Sequence, residues 1–145
     1  MQTDEKIVLP DNHKRSLSVT AHHLENSIND VEDLLTNKRQ NTLTEKIIKN
    51  LNNIERQEIL KLTKLVREKN ERMFKELELN KNDLFEDRIV RSRIGHIWTL
   101  LCDSTPESLK GYGNLSEAQS KLISTYIDDL LQTVNEIQSI ISRNT

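Results

Sequence analysis

A second cysteine is missing from this 145-residue sequence, so Cys102 can neither close a disulfide within the chain nor build a cysteine-rich zinc site. This agrees with a reducing compartment. Glycine and proline, which punctuate sheets with turns, total only five, while apolar residues are 34% and charged residues 30% of the chain. That mix favours long amphipathic helices over strands. Long apolar runs are absent as well. The only early one, Ile7 to Leu9, is far short of a signal peptide, and nothing reaches the ~18 residues that a membrane span needs. A soluble, cytoplasmic protein with no membrane partner is expected. An excess of positive charge is also lacking: the formal net charge is −2, so nucleic acid is not the default partner, because affinity there rests mainly on phosphate neutralisation. Finally, no Glu-x-x-His occurs, which removes the ligand pattern of a dimetal centre in a helical bundle. His22 and His23 precede Glu25 but rotate away from the apolar seam of their helix. Neither a metal nor a cofactor is expected.

What the sequence does contain is helical periodicity. Residues 1–10 carry little pattern and end at Pro10, which suggests an extended or frayed arm. Residues 11–145 read as a single domain, with Asp11 or Asn12 available to cap its first helix. Leu17, Ala21, Leu24, Ile28, Val31 and Leu35 alternate steps of four and three, a heptad seam that requires a partner stripe. The polar run Thr36 to Asn41 ends it. Thr42 with Glu45 then has the form of a capping box, and a second helix is expected to run from Leu43 to Leu79. Its stripe passes through Ile47, Leu51 and Ile54, then resumes at Ile59, Leu62 and Val66 after a rotation. A bend is therefore expected within Asn52 to Glu58. Leu60 and Phe74 lie off that stripe and two heptads apart, so they share a second face suited to another subunit.

Asp83 with Glu86 repeats the capping-box pattern before a third helix that should end near Cys102. Phe85, Ile89, Val90, Ile94, Ile97, Trp98, Leu100 and Leu101 cover more than half of its circumference, the pattern of a helix packed on several sides. The other helices are expected to wrap around it. Thr105, Pro106 and Glu107 then read as a cap, a first turn and an acid matched to the helix dipole, so one helical turn should reach Lys110 and stop at Gly111. Ser116 with Gln119 caps the last helix. There Ile123, Ile127, Leu130, Val134, Ile137 and Ile141 form a seam, widened by Leu122, Tyr126, Leu131 and Ile140.

The expected fold is all-α: an antiparallel up-down-up-down four-helix bundle with a long second helix and a structured loop before the fourth. The charges sort by helix. Ser16 to Thr36 holds four acids and no base, whereas Leu43 to Leu79 holds nine bases and seven acids, so the first two helices should attract weakly.

Candidate chemistry is sparse. Glu55, Glu58 and Lys69 on the second helix, and Glu86 and Arg93 on the third, fall on apolar faces, where charges need partners. One reading is structural pairing. Another is a polar pocket in which Arg93, with Glu86, Glu58 and Lys69, binds a small anionic ligand. Arg91 to His96, reading RSRIGH, resembles the Arg-x4-His signature of the HEPN ribonuclease family, also helical bundles. The resemblance covers about eight residues and departs at Ser92, where the family usually has Asn or Asp. It implies RNA as substrate, His96 as the acid-base group and Arg91 as the phosphate stabiliser at a dimer cleft. On an unbroken helix, however, a five-residue offset separates the two by about 140°. Phosphotransfer through His96 is disfavoured because Ile97, Trp98 and Leu100 follow it, and Cys102 lacks a base within a turn of helix. Lys110 and Tyr112 beside Gly111 and Gly113 suit a loop that plugs the bundle end better than an anion nest. The preferred reading is a non-enzymatic interaction or scaffold protein that acts through self-association or a protein partner. Nucleic acid enters only under the ribonuclease alternative.

Overall fold

The computed structural model describes residues 7–143, and every regular element among them is helical. The elements are α1 (Asp11–Leu35), α2 (Asn53–Glu76), α3 (Glu86–Cys102), α4 (Pro106–Leu109), a 3-10 turn (Lys110–Tyr112) and α5 (Glu117–Ser142). They group into two compact units, Met1–Asn82 and Asp83–Thr145. The first part of the expected N-terminal arm, residues 1–6, lies outside the described residues.

In the first unit α1 packs on α2. The heptad seam expected for α1 is the face it uses: Ala21 and Leu35 are buried, and Leu17, Ile28 and Val31 are half-buried. The helix ends where the polar run begins. Asn37 takes a left-handed φ of 63°, the Asn37 N–H donates to the Leu34 carbonyl and the Lys38 N–H to the Asp33 carbonyl. This is the paired closure that satisfies last-turn carbonyls, and asparagine tolerates the left-handed position better than most residues.

The expected second helix is corrected in two ways. First, it does not begin at Leu43. The Glu45 N–H does donate to Thr42 Oγ1 at 3.1 Å, but the Thr42 N–H turns to the Glu45 backbone carbonyl at 2.9 Å and Asn41 Oδ1 accepts from the Ile47 N–H at 2.9 Å. These bonds close an isolated turn. A better start lies downstream, where the Asn52 side chain accepts from the Glu55 N–H at 2.8 Å and Glu55 Oε1 accepts from the Asn52 N–H at 3.2 Å. The expected bend is thus the N-terminus of the helix, and Glu55 is there as the reciprocal half of its cap. Secondly, α2 turns a different stripe to α1. Arg56, Leu60, Thr63, Arg67, Asn70, Phe74 and Leu77 step by four and three along the less exposed side, whereas Ile54 and Leu62 of the expected stripe are 71% and 60% exposed. The seam is invisible to hydropathy because three of its central positions are polar.

In the second unit α3 packs on α5. The Asp83 and Glu86 box does not form. The helix begins after Phe85 without a side-chain cap, and the Arg88 guanidinium lies 4.7 Å over the Phe85 ring. Cation–π attraction of this kind and the acids Glu86 and Asp87 in the first turn stabilise that end instead. The connection follows expectation at Thr105 and Pro106 but not at Gly111, where the expected stop is replaced by a 3-10 turn that runs on to Tyr112. Thr105 Oγ1 accepts from the Ser108 N–H, Ser108 Oγ donates to the Cys102 carbonyl at 3.0 Å, and Gly113 adopts φ 133°, a region closed to other residues without strain. Ser108 thus ties α4 to the end of α3, and α4 also packs on α5. Ser116 and Gln119 cap α5 reciprocally, at 3.1 and 2.9 Å.

Helix α3 is not the enclosed rod that its composition suggests. None of its residues is buried, and Trp98 is 42% exposed. Its unit offers it one partner helix, which can cover only one of its sides.

Caps that form and caps that do not should separate in urea unfolding. Asn52→Ala and Ser116→Ala are expected to lose about 1 kcal/mol each, and Asp83→Ala should stay within about 0.5 kcal/mol of the parent. Gly95 lies inside α3, and a methyl group added there would meet no heavy atom within 4 Å, so Gly95→Ala should gain about 0.5–1 kcal/mol.

Candidate functional site

The best-ordered polar cluster lies between α1 and α2. Arg67 Nη2 donates to Glu32 Oε1 and, at 2.7 Å, to Asn29 Oδ1, while Asn70 Nδ2 donates to the Ala21 carbonyl at 3.0 Å. The acid-rich first helix thus meets the basic second helix through one arginine, as the charge sorting anticipates. The three bonds set the register of the pair: as α2 advances from 67 to 70, its partners on α1 recede towards 21. The crevice beside them, lined by Leu24, Ile28, Val66 and Asn70, holds about 10 Å³, no more than one water molecule, so it is a packing seam and not a ligand site.

The charged residues singled out for a polar core pocket are not gathered in one. Glu58 and Lys69 are exposed on α2, and Glu86 and Arg93 are exposed on α3. Exposure removes the desolvation cost that would have forced them to pair. Only Arg93 borders a sizeable hollow. This depression of about 340 Å³ at the start of α3 is lined by Leu84, Phe85, Arg88, Ile89, Ser92 and Arg93, together with Asp83. Its floor is apolar and its edge carries two guanidinium groups. Yet it is widely open to solvent, whereas a small-molecule site usually encloses most of its ligand.

Arg91 and His96 are both exposed on α3. The helix runs unbroken from Glu86 to Cys102 through Gly95, so the two side chains project about 140° apart and share no hollow. Among the described residues no three His, Cys, Asp or Glu side chains gather as metal ligands. Cys102 is a half-buried free thiol at the end of α3.

Leu60 and Phe74, expected on an intermolecular face, are half-buried members of the stripe that α2 turns to α1. The exposed apolar residues lie elsewhere. On α3, Ile89, Ile97 and Leu100 form a row with Arg93 among them, and on α5 Leu122, Tyr126, Leu130 and Ile140 form another, with exposures from 40% to 65%. The α5 row lies roughly 110° around its helix from the least exposed positions, and the α3 row roughly 150° from Ile94, Gly95, Leu101 and Cys102, the least exposed positions of α3. The sequence signal for this is the width of the apolar arcs on the third and fourth expected helices, a width that enclosure would equally explain. Leu130 in particular falls on the expected α5 seam but is 50% exposed. The positions of least exposure instead include Ser120, Ser124, Ile127, Leu131, Val134 and Ile141.

Comparison with known protein families, curated proteins and solved structures finds no match to this chain.

Two measurements check these placements. Arg67→Ala should destabilise the protein by about 1–2 kcal/mol in urea unfolding, because it leaves Glu32 and Asn29 without their shared donor. Single-stranded RNA incubated with the parent and with His96→Ala should give the same pattern of fragments, and cleavage lost only in the variant would contradict the divergent geometry of Arg91 and His96.

Proposed function

We propose that this protein is a non-enzymatic interaction or scaffold protein that works by self-association or by binding a protein partner. The observation that carries the reading is the amount of surface left uncovered. Separate compact domains with the masses of an 82-residue and a 63-residue unit would together expose about 9,000 Å². The chain exposes 12617 Å². The difference, roughly 3,000 Å², comes from the non-helical stretches at residues 36–52 and 80–85 as well as from helix faces. Much of what is uncovered is aliphatic or aromatic. Contiguous apolar patches beyond a few hundred Å² are rare on monomers and usually mark interaction sites.

Catalysis is the weaker reading. The ribonuclease alternative requires Arg91 and His96 to converge, and the ligand-sensor alternative requires walls around the hollow at Arg93, and neither condition is met by the geometry of α3 on its own. A cytoplasmic setting goes with the proposal, since a reducing compartment suits the single free thiol. The four-helix arrangement expected from the sequence is compatible with the same role.

Sedimentation equilibrium tests the self-association arm directly. The expected result is a mass of at least twice the 16.9 kDa of one chain at micromolar concentration. A mass of one chain up to millimolar concentration would remove that arm and leave the reading dependent on a partner of another kind.

A further inference from the structure

We draw no further inference here: the strongest candidate, the exposed apolar surface of α3 and α5 at Ile89, Leu100, Tyr126 and Leu130, carries nothing because nothing in the structure shows what covers it.

Discussion

Two α-helices laid side by side can hide only the stripe along which they touch, and both units of this protein obey that limit. Each helix has about a third of its circumference against its partner, and the remainder must be polar or must find something else to cover it. In the α1–α2 unit the remainder still carries exposed apolar side chains, among them Val19, Ile54, Leu62 and Leu65. In the α3–α5 unit Trp98, Leu100, Tyr126 and Leu130 likewise remain between 42% and 65% exposed. The small number of fully buried apolar side chains, Ala21, Leu35, Leu79, Val134 and Ile141 among the described residues, follows from the same geometry. A core one layer thick has no interior.

This limit also governs the chemistry. The polar groups that do meet, Arg67 with Glu32 and Asn29 and Asn70 with the Ala21 carbonyl, serve to fix register between helices. They occupy seam positions where an aliphatic side chain would have given more hydrophobic stabilisation but no preferred alignment. A helix pair slides easily when its seam is uniformly apolar. Directional bonds at Arg67 and Asn70 restrict that sliding, which makes them determinants of specificity more than of stability.

Much of the architecture is legible one residue at a time. The α1 seam, the stop at Asn37, the Thr105–Pro106 turn, Gly113 and the Ser116–Gln119 cap are readable because each depends on neighbours three or four residues away. Capping patterns fail where they compete. Thr42 with Glu45 offers the same side chains as a working cap, but Ile47, Ile48 and Asn50 are poor helix formers and Asn52 with Glu55 provides a better start. Asp83 loses to Phe85, whose ring is held under Arg88. The α2 seam is hidden for a different reason: hydropathy cannot see a stripe whose middle is Thr63, Arg67 and Asn70. Nor can it assign Leu60 and Phe74 to that stripe, because the residues linking them are polar.

By itself the sequence determined that the chain is helical, where most helices begin and end, and how wide the apolar arc of each is, because these properties arise within a few turns of one helix. Only the tertiary structure decided which part of each arc is spent on the neighbouring helix and which part is left facing outward. Arc width records how much apolar surface a helix must cover, but the identity of the covering surface depends on contacts between residues far apart in the chain, and periodicity carries no information about those.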